Sequence, residues 1–279
     1  MQSLSPPVDM DSRLHLPSYF ARIGYDGPSV PTLGVLRELS ARHPAHIPFE
    51  CIDPFLGVPV DLDPLAIQAK LIGARRGGYC QEHNAIFHDV LAALGFTVTA
   101  LAARVVWSFK GQRPPLTHRL TLVDLPEGRF IADVGLGGNS PTAPLRLETG
   151  IEQATPHGTY RVMHDGDVFE LQLRLIDHWE AMYQFTLAPQ GRIDFEVANW
   201  YTSTNPHSIF IQNLVVCRVV GNTRVNLRNS NLSIRQPDGR AEQRTLASAA
   251  DLQRVLGDVM GLALPVSADA IWAKLTDHC

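Results

Sequence analysis

Residues 74–84 read "ARRGGYCQEHN", two arginines and a glycine pair directly ahead of a cysteine that opens a helical pattern. Gly77 and Gly78 permit a tight backbone turn. A cysteine in the first turn of the helix that follows feels the positive end of the helix dipole, which favours thiolate over thiol. A cysteine of a soluble protein is ordinarily a buried structural residue. The glycine turn and the helix start set Cys80 apart from that default, and they raise the question of which base could serve it.

Upstream of this stretch the apolar period is helical. "VPTLGVLRELSARH" (30–43) carries Leu33, Leu36 and Leu39 at three-residue spacing, and "DPLAIQAKLI" (63–72) opens with Asp63 as N-cap and Pro64 at the first helical position. The helix begun at Cys80 is expected to run to Leu94, with Gly95 stopping it. Downstream the period shifts toward two. "TVTALAARVVW" (97–107), "HRLTLVDL" (118–125) and "RFIADVGL" (129–136) read as strands, the last two joined by the turn residues "PEG", and "TYRVMHDGDVFELQLRL" (159–175) reads as a hairpin folded at Asp165-Gly166. A curled sheet or small barrel is expected there. Beyond about residue 200, "VVCRVV", "TRVNLRN" and "NLSIRQ" read as further strands, and "SAADLQRVLGDVMGLAL" (248–264) places Leu252, Val255, Leu256, Val259 and Met260 on one helical face. The fold class is α+β, with no internal repeat.

A cysteine nucleophile needs a base, and the base needs an orienting partner. His118 stands at the start of one expected strand and Asp133 inside the next. A turn centred near Glu127 brings the two within about three residues of register. Asp133 lies in an otherwise apolar strand, where an unpaired carboxylate is costly and wants a cationic or donor partner. A His–Asp contact between adjacent strands can equally be a structural hydrogen bond.

Composition narrows the partners. The 279 residues are 45% hydrophobic and 19% charged, with a formal charge of -4, so there is no broad basic field for nucleic acid or acidic membranes, and an anion must be gripped locally. The start, "MQSLSPPVDMDSRLHL", shows no signal-peptide pattern, and no segment approaches membrane-spanning length. A cytoplasmic protein is expected, with Cys51, Cys80, Cys217 and Cys279 as reduced thiols. Cys80 and His83 have metal-ligand spacing, but no second Cys/His pair answers them, so no metal is expected. Arg218, Arg224 and Arg228 are candidate phosphate partners, and a solvated strand face is the plainer reading of all three.

In this order and at these separations, "IPFECID" (47–53), "RGGYCQEHN" (76–84), "THRLTLV" (117–123), "IADVGLG" (131–137) and "NWYTSTNPHSIF" (199–210) closely resemble the arylamine N-acetyltransferases, and the likeness spans about Leu14 to Leu264. The resemblance implies a helical N-terminal domain (1–95), a β-barrel domain (96–200) and an α/β lid (201–279), with a cysteine-protease-like catalytic core. It implies a triad of Cys80, His118 and Asp133, with acetyl-CoA as co-substrate and a small arylamine or hydrazine as acceptor in a monomer or homodimer. Thr117, Gly135, Leu136 and Phe210 are the implied substrate-side residues. Arg76 and Glu82 are expected to form a buried pair holding the active-site loop, with Asn84 bonding nearby backbone. Pro48, Phe49 and Glu50 are expected to pack and fix a loop, and the backbone of "GLGGNSP" (135–141) can approach pantetheine or pyrophosphate. Two departures stand out: Cys51 where the family usually has asparagine, and Leu136 where it commonly has phenylalanine, which should widen the acceptor pocket. Relatives that pass a carrier-bound acyl chain to an aromatic amine, and thiol hydrolases, remain alternatives.

Overall fold

A computed structural model describes residues 14–107, 109, 113–237 and 239–277. Most of the N-terminal stretch read for a leader, and Cys279, lie outside them. The N-terminal part is helical: α1 (Leu16–Ile23), α2 (Leu33–His46), the two-residue strand β1 (Phe49–Glu50), α3 (Ile52–Phe55), α4 (Pro64–Gln68) running into a π-turn (Ala69–Gly73), and α5 (Cys80–Ala93). Asp63 caps α4, its carboxylate accepting the Leu65 N–H at 2.9 Å ahead of Pro64, as its sequence position predicts. Gly95, in the left-handed region at φ +85°, ends the α5 segment.

Eight strands follow: β2 (Thr97–Val105), β3 (His118–Leu125), β4 (Gly128–Ala132), β5 (Leu145–Arg146), β6 (Gln153–Thr155), β7 (Gly158–Asp165), β8 (Val168–Arg174) and β9 (Trp179–Phe185). They form one antiparallel sheet in the order β5-β4-β3-β2-β9-β8-β7-β6. The two edges are tied by one side chain, since Gln153 accepts the Arg146 N–H at 2.7 Å and donates to the Arg146 carbonyl at 3.0 Å. The sheet is thereby a nearly closed barrel. Its hairpin turns at Gly166-Asp167, one residue beyond the expected Asp165-Gly166, because Asp165 pairs with Val168 and Gly166 takes the positive φ of 57°.

The strands carrying the site are buried on both faces. Leu120, Leu122 and Ile131 point into the barrel cluster, while Val123, Phe130 and Ala132 pack under the helices. That explains why "RFIADV" reads as a nearly continuous apolar run rather than an alternation.

The chain then forms α6 (Arg192–Thr204), α7 (Ile209–Gln212), β10 (Val215–Val220), β11 (Thr223–Arg228), β12 (Asn231–Arg235), β13 (Ala241–Thr245), α8 (Ala249–Gln253) and α9 (Ala268–Asp277). Residue 200 falls inside α6. The expected helix over 248–264 is α8 followed by a π-helical stretch, Arg254–Val259, in which Val255 and Leu256 are fully buried. Strand β13 is exposed along its whole length and so carries no apolar signal in the sequence. The second sheet runs β1-β10-β11-β12-β13, so its edge strand comes from the N-terminal part, with Phe49 opposite Cys217. Among the described residues, no helix is long and apolar enough to cross a membrane.

Candidate active site

Cys80 is the first residue of α5 and is 7% exposed. The loop ahead of it lies against β1: the Glu50 N–H donates to the Gly78 carbonyl at 2.7 Å, and a Cβ on Gly77 would stand 2.0 Å from the Pro48 carbonyl oxygen. Neither Gly77 nor Gly78 has a positive φ. Gly77 is required by the close approach of two backbones, and Gly78 by the Glu82 side chain, 2.7 Å from where its Cβ would stand, rather than by the tight turn expected from sequence.

His118 opens β3, and Asp133 follows the last residue of β4 instead of lying inside the strand. The ladder pairs Thr121 with Ala132, which leaves His118 and Asp133 two residues from register, and His118 Nε2 meets Asp133 Oδ2 at 2.7 Å. Both side chains are buried. Asp133 Oδ1 accepts from Asn84 Nδ2 at 2.9 Å and from the Gly135 N–H at 3.0 Å. Asn84 also donates to the Arg119 carbonyl at 2.6 Å and accepts the Val134 N–H at 3.0 Å, so one amide on α5 locks both strands that carry the pair. With Nε2 taken by Asp133, Nδ1 is the ring nitrogen left for Cys80, which lies close enough to the ring to raise its pKa. Tyr183 packs its ring against the imidazole at 5.2 Å.

Burial pulls the His118 pKa down, but the charge and hydrogen bond of Asp133, with Cys80 beside it, outweigh that and raise it to about 10. Burial likewise pushes the Asp133 carboxyl up, and the histidine, Asn84 and Gly135 together hold it below its ordinary value. A histidine raised from 6.5 to about 10 adds stability that is complete below pH 6.5 and fades as pH climbs to about 10; a depressed carboxylate adds stability present above 3.8 and lost in acid. The stability difference between wild type and Asp133→Asn is therefore expected to be largest between about pH 4 and 6.5 and to shrink steadily toward pH 10. Urea unfolding across that range checks it, and a difference flat with pH would refute the charged pair.

The expected Arg76–Glu82 pair does not form. Arg76 binds Glu50 at 2.7 Å and Asp53 at 2.8 Å, while Glu82 binds Lys70 at 2.7 Å and accepts the Tyr79 N–H at 3.0 Å. Lys70 also reaches Asp53 at 2.8 Å, which joins both halves into one network under the Cys80 loop. Burial alone would lower the Lys70 pKa; Glu82, Glu50 and Asp53 raise it instead. Glu50 fixes its own loop by accepting the Ile52 N–H at 2.7 Å. From the far side, Asn199 of α6 accepts from the Tyr79 hydroxyl and donates to the Val60 carbonyl at 2.8 Å. Lys70, Asp53, Asn199 and Tyr183 carry no spacing signal toward Cys80, so sequence reading passed over them as site residues.

Cys51 keeps a two-way bond at the position where asparagine is usual: its thiol donates to the Asn213 carbonyl at 3.3 Å and its sulfur accepts the Val215 N–H at 3.1 Å. Phe210 of α7 faces Phe49 and Tyr79 at ring distances of 5.8 and 5.6 Å, next to Cys80. Thr117 lies nearest Cys80 by its carbonyl, 4.0 Å from the sulfur, and that carbonyl also accepts from Gln81 Nε2 at 2.6 Å. Leu136 is half-buried against the barrel cluster. At Gly135 a Cβ would stand 2.8 Å from Asn84 Nδ2 and 3.1 Å from the Cys80 Cα. Gly135→Ala is expected to cost about 1–3 kcal/mol of stability and to lower turnover with it, by prising α5 from the Asp133 strand. Paired unfolding and rate measurements check this.

A cleft of about 470 Å³ opens between Trp107, the Gly138-Asn139 loop and β10–β13, with Cys217 on its wall. Arg228, Arg235 and Arg244 line it. Of the three candidate phosphate arginines, Arg228 is among them and Arg218 and Arg224 are not. Arg218 is bonded to the Ala45 and Met260 carbonyls, and Arg224 to the carbonyls of His157, Gly138 and Ser140, so both are structural. A smaller hollow of about 210 Å³ touches His118 itself, beside Gln81, Leu116 and Phe195. Among the described residues no cluster of three or more His, Cys, Asp or Glu side chains is placed to hold a metal.

Comparison with known proteins places the chain by family and fold. A family model described as N-acetyltransferase matches residues 32–269. An arylamine N-acetyltransferase of Mycobacterium tuberculosis is 44% identical over 254 residues, covering 89% of each chain. The solved structure of the Mycobacterium marinum arylamine N-acetyltransferase superposes with a TM-score of 0.91 at 40% identity, covering 95% of this chain and 100% of that one. The same enzyme solved in complex with CoA gives the same figures.

Proposed function

The chain belongs to the arylamine N-acetyltransferase family, and from that premise we propose that it carries an acetyl group from acetyl-CoA to small arylamines, arylhydrazines and hydrazides through a thioester on Cys80. The observation that carries this reading is the buried His118 ring bonded to Asp133 at 2.7 Å with Cys80 beside it. An imidazolium beside a sulfur stabilises the thiolate. Cys80 attacks the acetyl carbonyl with its Sγ, the C–S bond to CoA breaks, and His118 gives its proton to the departing CoA thiolate. The amine nitrogen then attacks the thioester, its proton passes to His118, and the Cys80 thiolate leaves, restoring the pair. Asp133 holds the ring orientation and stabilises its charged form. The Cys80 backbone N–H at the start of α5 is the donor best placed for the developing oxyanion.

In this reading the 470 Å³ cleft takes coenzyme A, with Arg228, Arg235 and Arg244 opposite its phosphates and the Gly138-Asn139 backbone beside the pantetheine. The acceptor enters near Phe210, Thr117 and Leu136, and residues 201–279 cover the cleft as a lid that keeps water from the thioester. Intact mass spectrometry with acetyl-CoA and no amine tests the scheme. One acetyl group is expected on the protein, absent in Cys80→Ala and lost when an arylamine is added. No adduct and no free CoA would sink acetyl-CoA as donor.

A further inference from the structure

On the other side of α5 from the Cys80 cleft lies a cavity of about 670 Å³, walled by Leu62, Ile67, Ala85, Ala92 and Phe195. That volume falls in the usual range of small-molecule pockets. His88, Asp89 and Arg119 line it from α5 and β3, and Gln190, Arg192 and Glu196 line it from the α6 side. His118 and Arg119 are consecutive in β3 and point to opposite faces of the sheet; Phe195 and Gln190 stand between this cavity and the 210 Å³ hollow at His118, lining both.

The α5 and β3 groups are poorly matched to one another. Arg119 Nε and His88 Nδ1 are both buried without a hydrogen-bond partner. The Arg119 guanidinium lies 4.4 Å over the Phe195 ring, and Asp89 feels its charge with no hydrogen bond or ion pair between them. Burial pushes the Asp89 carboxyl up toward its neutral form, lowers His88 to about 4 so that the ring is neutral at pH 7, and lowers Arg119 only to about 10. Arg192 and Glu196 at the wall pair with each other at 2.7 Å, which leaves Arg119 as the lining cation with an idle N–H among apolar carbons. Such a group gains most from a carboxylate that can take Nε–H and an adjacent Nη–H side by side.

We propose that this cavity is a second small-molecule site that takes an aromatic monocarboxylate, its ring against Phe195 and its carboxylate on Arg119. His88, whose Nδ1 has no partner, flanks the carboxylate as a further donor. The readout needed is binding alone, so the proposal stands or falls independently of the acetyl-transfer reading.

The probe is 2-naphthoate, titrated into the full chain by calorimetry, with 2-naphthamide as the uncharged control. Saturable one-site binding is expected, weaker by at least about tenfold for the amide and by a similar factor in Arg119→Gln. Ala92→Phe, which fills the cavity without touching its charges, is expected to abolish binding. Circular dichroism establishes that each variant is folded. No saturable binding at millimolar naphthoate, equal binding of the amide, or undiminished binding in either folded variant would overturn the proposal.

Discussion

Cys80→Ser is expected to lower acetyl transfer by roughly four orders of magnitude or more while leaving the fold intact. A serine hydroxyl is a far weaker nucleophile than a cysteine sulfur, so the substitution removes the nucleophile and little else. The side chain contributes only a small apolar contact to the cluster of Phe49, Tyr79 and Cys217, so the unfolding midpoint should barely move. Steady-state arylamine acetylation, read alongside thermal unfolding, separates the two effects. Turnover like that of wild type would remove Cys80 as nucleophile, and loss of fold together with activity would make its role structural.

Lys70→Met is expected to have the largest effect on stability, about 3–5 kcal/mol. Its ammonium is 15% exposed and sits between Asp53 and Glu82, with Glu50 beyond. Methionine fills the same space but leaves those carboxylates facing Arg76 alone. The Glu82 side that held Tyr79 in place then carries an uncompensated buried charge. Urea unfolding should show a lower midpoint with an unchanged slope. Because Glu82 caps the first turn of α5, activity should fall further than stability explains. Adding Glu82→Gln should restore part of the loss, since the orphaned charge is the source of the penalty. A loss below about 1 kcal/mol would place this network with ordinary surface ion pairs.

The two predictions rest on residues of opposite legibility. Cys80 announces itself through the glycines before it and the helix after it, and the His118–Asp133 pair follows from counting outward from a turn. Asn84 was expected to bond nearby backbone, and it does, but its clasp on Asp133 was not readable. Lys70 and Asp53 carried no signal at all. Their partners lie 12 to 23 residues away in sequence, and no helical or strand period connects them. Arg76 and Glu82, six residues apart, invited a direct pair, and the chain satisfies each through a different partner instead. The plainer reading of Arg224 failed in the same way: on a strand it reads as a solvated cation, yet it is 5% exposed and spends its N–H groups on loop carbonyls.

The sequence by itself determined the order of the parts and the chemistry they hold. Local period, caps and turn residues act over a few positions, so α5, the β3–β4 hairpin and the meeting of His118 with Asp133 could be read from the chain alone. Only the tertiary structure decided how those parts are held. Strand β1 leaves the helical part to edge the C-terminal sheet, Gln153 ties the two barrel edges, and a buried charge network underlies the Cys80 loop. These contacts join residues far apart in sequence, and the energy that selects among them comes from burial: a carboxylate or guanidinium removed from water takes whichever partner the packed backbones bring within reach.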